Sequence, residues 1–557
     1  MEISLGRTKR AKAPFLVSCV LLAAAMVAGA ADFDPRDFGA RGDGVTKDTA
    51  AIQRALDAAA GGGRVVLRGG SFLSGTLTMR SGTELHIAAD AVLQGSPDYR
   101  DYPERTGLRH DVSERLPRGR NACFIAAECA TNVSITGRGA IDCNGTNFVV
   151  RKTARDWTGW EFERISRFGL TPPRVVFFAG CRGVRVTDVT MRNQPSGWSY
   201  WVHDCDDVLF DGCKVLADVR YENNDGIHVN SSRDVVIRNC EIETGDDSII
   251  VRANNRSLTS PLNPVCERVT VSNCTLRSYT CGIRIGWAND GEMRDCLFMD
   301  LVMKDVSVGI AFIFPQAGGW NRDYGREASY VHDLVFEDID MRAVYGRVVC
   351  GFAQKPEFGT RMKGVENLVF RRIRAKALEP PLWMMRPDCP VRNVVYEDCH
   401  IRCVPDAELP GYVRHGAHWD RKSERDNRCC ENFTTNGPAI RPYRLPKDAD
   451  RCVTVGGRRF GFAVDFSDGT RLSEADARNM SVNDFGDWIF VEWFGDGWIV
   501  SGSFLRETDG WHHSQGKWFY DCGTRTLASF AFPVVRLKAN PETKRYLLSP
   551  TTGVIKE

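Results

Sequence analysis

The chain has 557 residues, 73 Lys and Arg against 71 Asp and Glu, and 43% hydrophobic residues with 52 glycines. That near balance carries no electrostatic footprint for nucleic acid, and the composition is that of an ordinary turn-rich globular protein rather than a disordered chain. The length suits one large repetitive domain with a smaller one beside it.

The N-terminus reads as a targeting segment. Arg7, Lys9, Arg10 and Lys12 precede a nearly continuous apolar run, Ala13 to Gly29, and Ala28-Gly29-Ala30 supplies small residues for cleavage. That order predicts a secretory signal peptide over residues 1–30, hence a secreted protein, extracellular or periplasmic, with no membrane contact after cleavage. Removing it leaves a mature charge of about −1. Leu16-Val17-Ser18-Cys19 offers a lipoprotein-type box, but the apolar run continues past Cys19. No later run is long enough to span a bilayer.

The first clear element is a helix over Thr49 to Ala60, TAAIQRALDAAA, stopped by Gly61-Gly62-Gly63. A repeat then dominates. DVLFDGCKV from Asp207, DVVIRNCEI from Asp234 and RVTVSNCTL from Arg268 share one pattern with DLVFEDIDM from Asp333, NLVFRRIRA from Asn367 and NVVYEDCHI from Asn393. Each is a short alternating strand, a polar corner and another strand, at intervals that vary as they would in coils of one size carrying inserted loops. The pattern predicts an all-β parallel solenoid whose open end the helix caps. Twenty cysteines in an exported chain would ordinarily mean disulfides. Here Cys213, Cys240, Cys274, Cys296 and Cys399 each follow Gly, Asn or Asp and precede an apolar strand. They read as small interior residues at one repeat position. A few bridges, for example through Cys429 or Cys430, remain open.

A second column lies in the same coils. DGIHV (225–229), DSIIV (247–251), CGIRI (281–285) and VGIAF (308–312) align without gaps, with Ile227, Ile249, Ile283 and Ile310 stacked inside. Alternation sends His228, Ile250, Arg284 and Ala311 to the outer face. Asp225 and Asp247 open consecutive strands, so a coil spacing of about 4.8 Å makes them neighbours, with Asp246 beside them. Three carboxyls this close cannot all ionise freely, and a protonated carboxyl next to an ionised one is the equipment for glycoside hydrolysis. Asp in these contexts also makes turns at solenoid corners, and a carboxylate cluster can hold a cation, so the residues alone leave both alternatives open.

NNDGIHV (223–229) followed by GDD (245–247) resembles the signature of glycoside hydrolase family 28, the polygalacturonase-like enzymes. FGARGDGVTKDTAAIQRALDAA (38–59) is similar to the opening of the same pectin-lyase-like group, and the likeness spans roughly residues 32–403. The resemblance implies a right-handed parallel β-helix and hydrolysis with inversion. It assigns Asp246 as general acid, Asp225 and Asp247 as the pair that activates water, and Asn223 as support for the cluster. No metal or cofactor is called for. Two motifs depart from the family. Its Gly-His-Gly stands here as Thr280-Cys281-Gly282, and its Arg-Ile-Lys falls at Ala311-Phe312-Ile313, without charge. Arg284 is a candidate replacement contact for substrate, and His228 a candidate binding residue. The expected substrate is therefore a pectic or related polysaccharide, rhamnogalacturonan-like or exo-attacked, rather than plain polygalacturonan. A β-helix lyase and a non-catalytic glycan-binding solenoid are the alternatives.

The insertion PQAGGWNRDYGREASY (315–330) carries Trp320, a candidate for stacking on a sugar, and RKTARDWTGWEF (151–162) carries Trp157 and Trp160. The expected organisation is a β-helix over 31–405, a polar linker over 406–440 and a β-rich module over 441–557. Trp488, Trp493, Trp498, Trp511 and Trp518 of that module serve as core or as glycan contacts. A solenoid with a capped end is expected to stay monomeric.

Overall fold

The computed structural model describes residues 31–103, 122–152, 160–165, 174–253, 264–286, 291–314, 329–353, 362–384 and 391–405, then shorter segments as far as residue 556. Residues 1–30, expected to be a signal peptide, lie outside these, as do Trp157, Trp320, Cys429 and the C-terminal residue. Among the described residues no helix is long and apolar enough to cross a membrane.

Each coil consists of three short strands. Tyr200–His203, Asp206–Asp211 and Lys214–Leu216 make one, and Ile227–Asn230, Arg233–Arg238 and Glu241–Thr244 make the next. Every strand pairs in parallel with its counterpart one coil on, as Val208↔Val235↔Val269 and Val215↔Ile242↔Leu276 illustrate. The result is a right-handed parallel β-helix, with 31 of the described strands in one continuous sheet.

The repeat pairs in the predicted register, and one coil joins those read from sequence. Strand Glu292–Phe314 sits between the coils of Arg268 and Asp333, with Phe298 pairing Val271 on one side and Phe336 on the other. Inside, Phe298, Phe336, Phe370 and Tyr396 form a ladder with successive ring centroids 4.7, 5.1 and 4.7 Å apart. That spacing is the coil rise itself, so identical positions stack like on like.

Two corners in each coil turn through a left-handed residue: Asp234, Arg268, Asp295 and Asp333 at the first, Asn239, Asn273, Asp338 and Asp398 at the second. This corrects one expectation about the cysteines. Cys213, Cys240, Cys274 and Cys399 occupy the column after the second corner. Cys296 follows the first, in register with Leu334. Both corners favour Asp, Asn or Gly, so the local cue is the same for both. All five thiols are buried and free. Several donate to main-chain carbonyls, as Cys240 Sγ does to Arg238 O at 3.1 Å and Cys213 Sγ to Val186 O at 3.2 Å.

The helix forms over Thr49–Ala58 and buries Ala51, Ile52, Ala55 and Leu56 against the first coil, within the same core as Val65, Leu67 and Leu77. At the other end, Cys430–Glu431 and Thr434–Asn436 pair in parallel with Val391–Glu397. The coiling therefore continues into the stretch expected to be a linker. Its polar composition hid two rungs too short to show an alternation. Beyond, strands Asn479–Asp484, Trp488–Gly495, Trp498–Glu507 and Gly510–His513 form an antiparallel sheet. Trp493 is fully buried there, against Phe462.

Candidate active site

The column read from sequence is present. Ile227, Ile249, Ile283 and Ile310 pair in register and belong to the interior core. His228, Ile250, Arg284 and Ala311 alternate to the other face of the sheet. This outer face is covered by other parts of the chain: His228 is 1% exposed, Arg284 5%, and Ile250 and Ala311 are fully buried. Trp198 lies over His228, with ring centroids 3.8 Å apart, and Arg174 lies over Trp198.

The two motifs are joined by close backbone approach. A side chain on Gly226 would place its Cβ 2.2 Å from the Ser248 carbonyl oxygen, and on Gly245, 2.3 Å from that of Tyr221. Only glycine fits either place. Asn224 Oδ1 accepts the Gly245 N–H at 2.7 Å, and its Nδ2 donates to the Asp218 carbonyl at 2.6 Å, so this side chain ties NNDG to GDD. Trp160 of the 151–162 insertion donates to the Gly245 carbonyl at 2.6 Å and braces the same corner from outside.

On this frame Asp225, Asp246 and Asp247 converge, with one carboxylate oxygen from each within 4.8 Å of the others. Exposure is 2%, 9% and 0% respectively, so Asp246 is the one nearest the surface. Asp225 Oδ2 meets His228 Nε2 at 2.7 Å. Asp246 accepts from Asn223 Nδ2 at 3.1 Å and from its neighbour's N–H at 3.1 Å, and Thr280 Oγ1 lies 3.0 Å from Oδ1. Asp247 Oδ1 is 2.8 Å from the same hydroxyl, and its Oδ2 is 2.5 Å from Arg284 Nη1. That last contact is close but not aligned as a hydrogen bond. Asp225 Oδ1 and Asp247 Oδ2 are thus buried acceptors with no aligned donor among the described residues.

The electrostatics separate the three. Burial first, then the charges of Asp225 and Asp247, hold the Asp246 carboxyl well above the usual carboxylate range. Burial pushes Asp225 up as well, but Arg284 and Arg174 limit the rise to about 6. Burial works against the charge of Arg284, yet the carboxyls, Asp247 foremost, more than offset it and raise its pKa. A trio of oxygens this close is also a geometry that a cation could use. Here the positive charge beside Asp247 is already supplied by Arg284, which favours acid–base work over metal ligation.

The sequence reading singled out Asn223, His228 and Arg284, and all three meet the aspartates. It passed over Asn224, Thr280, Trp198 and Arg174. Asn224 sits inside the quoted motif, and Thr280 inside a tripeptide noted only for lacking histidine. Trp198 and Arg174 carry no local cue, since each arrives from another coil.

With this geometry in place, the comparisons with known proteins are specific. Residues 112–262, which contain both aspartate motifs, match the profile of Glycosyl hydrolases family 28. Over these residues the chain is similar to glycosyl hydrolase family 28. Residues 34–108 match a second profile, Rhamnogalacturonase A/epimerase, pectate lyase-like. A probable polygalacturonase of Vitis vinifera is 26% identical over 351 residues, covering 62% of this chain and 65% of that protein. An exo-poly-alpha-D-galacturonosidase of Dickeya chrysanthemi is 26% identical over 340 residues, covering 55% and 54%. The matches thus span less than two thirds of either curated relative. Among solved structures, an exopolygalacturonase of Thermotoga maritima superposes with a TM-score of 0.52 at 20% identity, covering 66% of this chain and 86% of that one. A family 28 exopolygalacturonase of Yersinia enterocolitica gives 0.52 at 18% identity, covering 74% and 79%. At these identities the structural likeness speaks for the fold.

Proposed function

We propose that this protein is a secreted glycoside hydrolase acting on a pectic polysaccharide, with Asp246 as general acid and Asp225 and Asp247 activating the attacking water. One observation carries the reading: three carboxyls from consecutive coils meet, and their surroundings split them. Asp246 is held protonated by burial and two neighbouring carboxylates, while Asp247 faces Arg284. In the reaction, the Asp246 proton passes to the glycosidic oxygen as the bond from that oxygen to the anomeric carbon breaks. Water approaching the two open acceptors, Asp225 Oδ1 and Asp247 Oδ2, gives up a proton to the pair as its oxygen bonds the anomeric carbon.

Inversion follows from the family resemblance. A second reading, retention, is favoured by one distance. Oxygens within 4.8 Å lie nearer the gap of about 5–5.5 Å usual in retaining enzymes than the roughly 6.5–9.5 Å usual in inverting ones. Under retention Asp225 or Asp247 would attack the sugar directly.

The substrate reading rests on an apolar cluster. Where the family resemblance places a basic Arg-Ile-Lys, Ala311 and Ile313 pack with Cys281, Val308, Cys350 and Leu382. Ala311 is in register with Arg284, one coil away. These buried apolar side chains supply no charge at the positions where the resemblance implies a contact to a uronate carboxylate, which favours a deoxy sugar or a methyl-esterified uronate over a free carboxylate. A lyase would need a neutral base for a ring proton, and Arg284 is held charged by its carboxyl neighbours.

The test is a product screen on polygalacturonan, methyl-esterified pectin, rhamnogalacturonan and a neutral α-glucan, comparing parent with Asp246→Asn. The expected result is reducing sugar from the parent on at least one pectic substrate and none from the variant. Equal release by both would remove Asp246 from the acid role. Ultraviolet-absorbing unsaturated products would mean a lyase, and binding without turnover a glycan-binding solenoid.

A further inference from the structure

Thr280 occupies the first position of the tripeptide that replaces Gly-His-Gly, and its hydroxyl stands between two of the three carboxyls. Oγ1 is 3.0 Å from Asp246 Oδ1 and 2.8 Å from Asp247 Oδ1, with the side chain buried. A hydroxyl has one hydrogen to give and two lone pairs with which to accept. With both carboxyls ionised, Thr280 could donate to one of them only. The other contact would then set lone pair against lone pair at 3.0 Å or less in a site without water's dielectric.

The neighbouring Ser278 hydroxyl does not resolve this. Its hydrogen goes to the Asp246 main-chain carbonyl at 2.7 Å, and its oxygen accepts the Thr280 N–H at 3.0 Å. At 3.5 Å from Thr280 Oγ1 it is too far to compete. Both contacts become attractive when one carboxyl carries a proton and donates it to Thr280. The geometry also says which one. Asp247 has the positive charge of Arg284 2.5 Å away, whereas the hydrogen-bond partners of Asp246 are neutral, the Asn223 amide, the Asp247 N–H and Thr280 itself.

We propose that Thr280 is a positioning residue that fixes the site's resting proton on Asp246, through a directed chain from Asp246 Oδ1–H to Thr280 Oγ1–H to Asp247 Oδ1. The chain rests on the catalytic reading above for its use, but not for its existence. It makes the choice of acid a property of one hydroxyl. The neutral form of Asp246 gains an acceptor, and the ionised form of Asp247 gains a donor. The remaining charges facing the pair, Asp225 and Arg284, stay the same when Thr280 alone is changed.

The test compares Thr280→Val, which keeps the shape and loses the hydroxyl, with Thr280→Ser, which keeps the hydroxyl. Two readouts separate this proposal from the functional one. The first needs no substrate: a pH-difference infrared titration of the buried protonated carboxyl, assigned by its disappearance in Asp246→Asn. The midpoint is expected about one pH unit lower in Thr280→Val, the size of one hydrogen bond to a charged group, and back near the parent value in Thr280→Ser. The second is the pH profile on whichever glycan the screen identifies. There Thr280→Val should lower kcat about tenfold with KM within about twofold, and draw the alkaline limb down by about one unit. Thermal melts confirm that both variants are folded. An unchanged midpoint in folded Thr280→Val, or a Thr280→Ser that behaves like Val, overturns the proposal. A shifted midpoint in a protein that turns over no glycan would leave the proton chain standing and remove the hydrolase reading instead.

Discussion

His228 Nε2 lies 2.7 Å from Asp225 Oδ2, while Trp198 lies flat on the imidazole at 3.8 Å with 15° between the planes. Arg174 covers Trp198 with its guanidinium carbon 3.5 Å from the ring centroid. Two groups so close cannot share a face, so the indole is sandwiched between imidazole and guanidinium. Burial, then the charges of Arg284, Arg252 and Arg174, hold the His228 pKa well below its ordinary value. The imidazole is therefore neutral, and donates from Nε2 to Asp225 as a hydrogen-bond partner rather than a counter-ion.

Replacing that donor should be felt at Asp225. His228→Ala removes the side-chain donor to Asp225 Oδ2, and so favours the protonated carboxyl and lifts a pKa that already stands at about 6. The expected outcome is a loss of kcat/KM near neutrality of roughly 10- to 100-fold, on the order of one or two hydrogen bonds to a charge. The acid limb of the pH–rate profile should move to higher pH. An unmoved acid limb would disconnect His228 from the base.

The parent profile itself should be bell-shaped. In the proposed mechanism Asp225 is ionised when it helps take a proton from water, so activity should rise with pH through about 6. Asp246 must keep its proton, so activity falls once pH passes its raised value, and the optimum lies between. Steady-state rates from about pH 4 to about pH 10 would check this. A profile already flat at about pH 4.5 would mean that Asp225 titrates as an ordinary surface carboxyl.

Stability should suffer from this arrangement. A carboxyl whose folded pKa lies above its unfolded value favours the folded state at low pH. That contribution is lost as pH rises through the folded pKa. For Asp225, raised from 3.8 to about 6, the loss amounts to about 3 kcal/mol by neutrality. Asp246 is raised further in the same direction. Asp246→Asn removes its share, and should raise Tm by roughly 2–5 °C at neutral pH while abolishing turnover. The gap should close as pH approaches about 4, where the carboxyl of the unfolded parent is protonated as well. A gap that stays constant with pH would show that the gain comes from something other than ionisation.

The anomer released decides between the two readings of the base side. Proton NMR of the first product formed should show inversion. Retention, together with a trapped glycosyl-enzyme, would make Asp225 or Asp247 a nucleophile and give weight to the 4.8 Å limit on the carboxylate separation.

The coils, their register and the meeting of the aspartates are legible in the chain alone. Parallel pairing copies each position onto its equivalent one coil later, and side chains alternate with a period of two. The spacing of Ile227, Ile249, Ile283 and Ile310 therefore announces a column by itself. The limits of that reading have the same origin. Cys296 falls in a different column from the one its flanking residues suggest, because both corners of a coil take the same turn residues, and the rungs at 430–436 are too short to show a period. What lies over the outer face is settled only in three dimensions. Trp198, Arg174 and Trp160 come from separate strands and corners, and whether their side chains close over His228 and Gly245 depends on packing between coils. Burial then turns Arg284 from a surface charge into the partner of Asp247, and makes one threonine hydroxyl answerable to two acids. Local order along the chain sets which residues face outward. The free energy of an ionised group depends on everything around it, and that is a tertiary quantity.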